Sequence, residues 1–435
     1  MLDKRLPLEQ AAIAQCDGGL SHGEIEALLH RALDPVRGQL RRVLLLPPDY
    51  TRLHSNAGLI TRLIYHMLSP DCRVDIMPAL GTHVPMAEGE WHAMYGDIPY
   101  ERMLVHRWRT DVQQVGQIPA ELVKQLSEGA MMEAIPVELN RHLLNPAYDL
   151  ILSIGQVVPH EVAGMANHAK NIFVGCGGAG MINGSHMLGA FYGLERIMGK
   201  DHTPVRQLFD YAAAHFLQGM PLSYILTVTD APEGSIRTHG LFMGHQRHLF
   251  EQAVALARRW NITKLDRPVQ KAVVYLDGQE FKSTWLGNKA IYRTRMGIAD
   301  GGELVVLAPG VDKFGEDPAV DRLIRAYGYK GRDYVINTLH TAPDLAANLS
   351  AAAHLIHGSS DGRFHITYCT RHLTRQEVEQ VGYRYMPYDE ALRLYPMDRL
   401  QPGENTLSSG EQVYYVPNPA LGLWMEKGRL GEQAT

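Results

Sequence analysis

Cysteine is scarce: four in 435 residues, at positions 16, 72, 176 and 369. They form no C-x-x-C pair and no disulfide-like spacing, so neither a disulfide scaffold nor a thiolate-built metal centre is expected. Long apolar runs are also lacking. Stretches such as Val43-Leu44-Leu45-Leu46 have the length of buried strands, far short of the roughly 18 residues of a membrane span. The opening residues, MLDKRLPLEQ, alternate charge and leucine and lack the apolar core of about 7–15 residues that marks a signal peptide. A reducing, cytoplasmic setting with no membrane association is therefore the expectation. There is no basic surplus either: 42 Lys and Arg against 47 Asp and Glu give a net charge of -5. That balance offers no electrostatic footprint for nucleic acid. With 45% apolar and 20% charged residues, disorder, collagen and coiled coil are excluded as well. What the chain has in quantity is histidine, 21 against 42 Lys plus Arg, and several lie in glycine-rich stretches.

Short apolar strands alternate with amphipathic helices, which predicts two α/β domains with mostly parallel sheets and an active-site cleft between them. Ser21-His22-Gly23-Glu24 has capping-box spacing and precedes Ile25, Leu28 and Leu29. Residues 41–46 read as a buried strand ending in Pro47-Pro48. Ser55 or Asn56 is placed to cap a helix whose Leu59, Leu63 and Met67 share a face. Strands are expected over 73–79 and 149–155, the second followed by a long His- and Gly-rich loop. Helices are expected near 206–217 and 245–260. Residues 261–268 show no period and read as a linker. Beyond it a second set follows: a strand at 271–276, helices near 284–297, 317–327 and 341–356, and strands at 303–307 and 364–368. The expected division is an N-terminal domain over 1–265 and a C-terminal domain over 266–435. In parallel sheets ligands gather at the carboxyl ends of strands, where the loops 47–52, 80–86 and 155–186 fall.

Those loops carry the polar chemistry. In Pro47-Pro48-Asp49-Tyr50-Thr51-Arg52, an arginine at a strand end suits a substrate carboxylate, and Asp49 suits its orientation or a helix N-cap. In Gly81-Thr82-His83, the histidine follows a glycine turn at the ligand face, where proton transfer near neutral pH is imidazole chemistry. Residues 160–186 hold His160, His168, Lys170, His186 and six glycines. The glycines suggest close backbone approach to a ligand, with a phosphate as one option. The spacing H-x9-K-x15-H lacks the short ligand pairs of a zinc site. Lys170 reads as a covalent attachment point, since a desolvated lysine is a usable nucleophile. Cys176 reads as a small packed residue. Asp277-Gly278-Gln279-Glu280-Phe281-Lys282 ends the first strand after the linker; alone, it reads as a strand-end turn.

Taken in order, P-D-Y-T-R from Pro48, G-T-H-x-P-M from Gly81, P-H-x9-K-x15-H from Pro159 and Q-x2-K from Gln279 form a specific set. The chain resembles the nickel-pincer lactate racemase family of 2-hydroxyacid racemases and epimerases. The resemblance implies that Lys170 is covalently linked to a pyridinium-3,5-bisthiocarboxylic acid mononucleotide whose sulfurs and a ring carbon bind nickel. It implies that His186 is the remaining nickel ligand and that His83 and His160 are the acid/base pair. Asp49, Arg52, Gln279 and Lys282 would help to hold a small-molecule 2-hydroxy acid, and cofactor-synthesis proteins would be transient partners. Many relatives have proline where this chain has Leu53, followed by His54, so lactate itself is not implied.

The implied chemistry accounts for the residue types. A 2-hydroxy acid has no electron sink beside its α-carbon, so the hydrogen leaves more easily as hydride while a base takes the hydroxyl proton, and a pyridinium supplies the acceptor. Two bases serve the two enantiomers. An epimerase of a larger sugar acid such as an aldonate, with the same cofactor, stays open, as does a non-catalytic nickel- or nucleotide-binding paralogue. A pyridoxal phosphate enzyme using Lys170 lacks an identifiable acidic partner for the ring nitrogen.

Overall fold

The structure is a computed structural model that describes residues 6–420 and 422–429. The chain folds as two units. The first is Met1–Leu188 with Gly199–Asn261, and the second is Gly189–Met198 with Ile262–Thr435.

The first unit is built on a six-stranded sheet. Its strands are β1 (Gln10–Ile13), β2 (Arg42–Leu46), β3 (Arg73–Ile76), β4 (Leu150–Gln156), β5 (Leu222–Asp230) and β6 (Arg237–Gly244), in the order β1-β6-β5-β4-β2-β3. Pairing is parallel from β5 through β4 and β2 to β3, and antiparallel at β6 and β1. Strand β4 is buried at every position, as expected of a central strand covered on both faces. Helix α1 (His22–Arg37) starts at Ser21, whose hydroxyl accepts from the Glu24 N–H while the Glu24 carboxylate accepts from the Ser21 N–H. Its Ile25, Leu28, Leu29, Leu33 and Val36 join one apolar cluster with Val43, Leu45 and Leu152 of the sheet.

Helix α2 (Ala57–Leu68) departs from the expected face. Ile60, Ile64 and Met67 are buried, while Leu59 and Leu63 are only partly so. Both candidate caps play a part: the Ser55 hydroxyl accepts the Ala57 N–H at 3.2 Å. Asn56 is the N-cap residue in a left-handed conformation, but its side chain donates to Thr238 instead of capping.

The second unit holds another six-stranded sheet. Its order is Arg384–Pro387, His365–Thr370, Ile298–Leu307, Val269–Tyr275, Gln412–Val416 and Gly403–Thr406, with only the last pair antiparallel. Val273, Val305, Leu307, Tyr388 and Tyr415 pack one of its faces. Mixed α/β layering with parallel-rich sheets in two sheet-bearing domains is thus present.

Three segments differ from expectation. Residues 262–265 are not linker but a strand, Ile262–Leu265, parallel to Leu423–Glu426. Its partner lies about 160 residues on, which no local pattern reveals. The helix expected over 341–356 is broken: Pro343 starts a short turn, Pro343–Ala346, and Asn348 caps a new helix, Leu349–His357. The long loop after β4 also contains ordered helix, one π-type turn over Asn171–Gly175 and then α3 (Ala179–Tyr192).

Candidate active site

The residues implicated in the first unit gather at the carboxyl ends of β2, β3 and β4. The backbone ties the three loops together. The Ala79 N–H donates to Pro47 O, the Gly81 N–H to Gly175 O at 2.9 Å, and Asn171 Nδ2 to Ser153 Oγ at 2.8 Å.

Asp49 caps the short turn Tyr50–Ser55 and is 5% exposed. One carboxylate oxygen accepts from the Thr51 N–H and hydroxyl, and the other lies 2.5 Å from His83 Nδ1. Burial pushes this carboxyl up, but His83, Thr51 and Arg52 outweigh it and hold it below its ordinary value. An ionised Asp49 accepts a hydrogen bond from Nδ1–H, which leaves the lone pair of His83 on Nε2. The His83 side chain is 40% exposed, so that nitrogen is open to a substrate. Arg52 sits at a kink in the same turn and is partly buried. Among the described residues its guanidinium has no hydrogen bond or ion pair, so its donor fork remains for an anion.

His160 is buried at 5%. Its Nδ1 accepts the Val162 N–H at 3.1 Å, with the Ala163 N–H at 3.5 Å, so the neutral ring carries its proton on Nε2. Charging His160 would set an Nδ1–H against those donors, so the 160–163 turn must relax as the ring is protonated.

Lys170 immediately precedes the π-type turn. Burial and the Arg52 charge bring its amine down to about 8, against an opposing pull from Glu161. Roughly a tenth is then unprotonated and nucleophilic at pH 7, far more than for an ordinary lysine. His186 rides on α3, where Nδ1 donates to Ile182 O at 2.6 Å. That bond leaves Nε2 as the free lone pair, and burial lowers the ring to about 4, keeping it neutral. A neutral imidazole with its other nitrogen anchored to a carbonyl is the usual state of a metal-ligating histidine. A lysine with a lowered amine and a single neutral imidazole would fit, as attachment point and metal ligand, a nucleotide that brings its own sulfur donors. The trio of close His, Asp and Glu ligand atoms among the described residues is Asp201, His202 and Glu251, none of them implicated from sequence. Asp201 is already paired with Arg258.

Gln279 and Lys282 belong to the second unit, in the turn after Val269–Tyr275. The Gln279 N–H donates to Asp277 Oδ1, and Lys282 Nζ donates to Gly278 O.

The glycines of this stretch are closely packed. A Cβ on Gly177 would stand 1.9 Å from Phe173 O, and one on Gly180 2.4 Å from Pro136 O. The Gly180 N–H donates to Glu138 Oε2. Gly177 thus packs on the preceding turn, and Gly180 lets α3 press against the strand Ile135–Asn140. Cys176 is fully buried and burial pushes its thiol up, as expected of a packing residue. Sequence reasoning missed His106, which donates from Nε2 to Gly177 O and accepts from Asn140 at Nδ1, pinning this stretch. A lone histidine outside any motif gave no signal.

Residues 25–196 match the family model described as the lactate racemase N-terminal domain. Among solved structures, a Thermotoga maritima protein is 24% identical over 94% of this chain and 99% of its own, with a TM-score of 0.82. The lactate racemase apoprotein from Thermoanaerobacterium thermosaccharolyticum is 16% identical over 98% of this chain and 96% of its own, with a TM-score of 0.69. At such identities the likeness speaks for the fold. No curated protein matches the chain. Residues 25–196 are thus similar to the lactate racemase N-terminal domain, and the chain shares the fold of the racemase apoprotein along its length.

Proposed function

We propose that the chain inverts the C2 configuration of a 2-hydroxy acid, using a nickel-pincer pyridinium nucleotide attached at Lys170 with His186 as the protein's nickel ligand. The carrying observation is the pair His83–Asp49 beside an Arg52 whose guanidinium is free. That cofactor, held by Lys170 and His186, would supply a hydride acceptor for the C2 hydrogen. The chain's residues hold the acid and move its hydroxyl proton.

Arg52 takes the carboxylate through two parallel hydrogen bonds. His83 Nε2 then accepts the hydroxyl proton of one enantiomer, and Asp49 stabilises the imidazolium through Nδ1. With both of its oxygens engaged inside the chain, Asp49 acts through His83 and does not hold substrate itself. His160 serves the other enantiomer through Nε2 once the turn relaxes and the ring proton moves from Nε2 to Nδ1, which the turn now occupies. Gln279 and Lys282 are proposed as substrate-binding residues on the resemblance of Q-x2-K alone. The setting is cytoplasmic, with the proteins that make the cofactor as transient partners and no role for nucleic acid or membrane.

The test is a panel of single-enantiomer 2-hydroxy acids, from lactate-sized to aldonate-sized, given to protein produced with the cofactor pathway. Chiral chromatography should show interconversion of at least one acid, and intact mass should show an adduct lost in Lys170→Ala. An adduct without interconversion points to a binding paralogue; no adduct removes the cofactor assignment.

A further inference from the structure

Three anomalies converge on the backbone just before Lys170. The first is conformational. Asn167 and His168 are consecutive non-glycine residues in the left-handed region, with φ of 70° and 56°. Such strain persists only where its surroundings enforce it, and it gathers at functional sites.

The second is a buried cation. Arg206, on the helix Pro204–Phe216, is 0% exposed. Its Nη2 donates to Met165 O at 2.6 Å and its Nη1 to Asn167 O at 3.3 Å. The guanidinium lies over the Phe250 ring at 4.5 Å. A desolvated guanidinium gripping carbonyls two residues apart fixes the path of the chain between them.

The third is a buried polar ring with nothing to bond. His168 is 6% exposed, and among the described residues neither ring nitrogen has a hydrogen-bond partner. The ring stacks on Tyr224 at 4.1 Å and faces Phe250 at 5.2 Å, so it serves as a flat wedge. Asn167 in turn fills the space left by Gly155, where a Cβ would stand 2.6 Å from Asn167 Nδ2. The left-handed pair leads straight into the lysine turn: the Asn171 N–H donates to His168 O at 2.9 Å.

We propose that Arg206, Asn167 and His168 form a strained latch that presents Lys170 for covalent attachment, with Arg206 as a positioning residue. This rests on Lys170 being the attachment lysine.

The test uses the full chain produced with the cofactor pathway, reading by peptide mass the fraction of Lys170 that carries adduct. His168→Ala and His168→Gly leave nearly the same hole but differ in how easily residue 168 adopts a positive φ. The latch predicts at least a fivefold loss of adduct in His168→Ala and at least half of the wild-type fraction in His168→Gly. Arg206→Met should lose at least fivefold; if it does not fold, the His168 pair decides alone. Equal loading of the two His168 variants, whether high or low, overturns the latch and leaves the attachment reading intact. A wild-type chain without adduct removes both.

Discussion

His83 and Asp49 stand 34 residues apart in the chain and 2.5 Å apart in space. Each was legible as a candidate, Asp49 in P-D-Y-T-R and His83 in G-T-H. Their pairing was not, because it exists only once β2 and β3 lie side by side. In the proposed mechanism that pairing has Asp49 orient His83, in place of the direct substrate contact expected from sequence. Asp49→Asn is expected to lower kcat by roughly 10²- to 10⁴-fold, the scale of a positioned acid–base group, with little change in KM. Initial rates by chiral chromatography on fully loaded protein check this; a fall in kcat/KM through KM alone would return Asp49 to substrate binding. Arg52→Ala should act differently. Loss of a charge-assisted clamp costs about 1.5–3 kcal/mol, roughly 10- to 150-fold in kcat/KM. An unchanged specificity constant would remove the clamp.

At the scale of elements, the strands and caps were the most legible parts. Their signals are local: Val43–Leu46 is a buried run, and Ser21 and Glu24 sit at capping-box spacing. The stretch from 155 to 186 misled because glycine suggests loop, whereas here it permits close packing. Helix α3 forms because Met181, Ile182, Met187 and Leu188 are buried and the glycines let it approach the strand Ile135–Asn140. That helix turns His186 from a loop residue into one whose Nδ1 is held by the carbonyl four residues back. Gly180→Ala would place a methyl 2.4 Å from Pro136 O, where the partner is backbone and cannot swing aside. The expected cost is about 1–3 kcal/mol, read as a lower thermal midpoint. An unchanged midpoint would show that α3 does not depend on this contact.

At the scale of the whole molecule, three histidines tie stability to pH. Burial lowers His106 and His186 to about 4, and His168 well below its ordinary value. Each stays neutral in the folded chain and takes up a proton near 6.5 when unfolded, so the unfolded state binds more protons as pH falls. For His106 and His186, stability present above pH 6.5 is lost between 6.5 and about 4, by about 1.4 kcal/mol per pH unit each, and His168 acts in the same direction. The urea midpoint should therefore drop clearly between pH 7.5 and pH 5.0, and a constant midpoint would show that these rings are not held neutral. The histidine excess thus divides between the chemistry proposed for His83, His160 and His186 and the packing seen at His106 and His168. The central claim is inversion at C2 by hydride transfer and return, and one isotope experiment addresses it. A single enantiomer of an accepted 2-hydroxy acid, deuterated at C2, is incubated with cofactor-loaded protein in ordinary water, and the opposite enantiomer is isolated and weighed by mass spectrometry. The account predicts that deuterium stays at C2, because that hydrogen never leaves as a proton. Product carrying solvent hydrogen at C2 would contradict it.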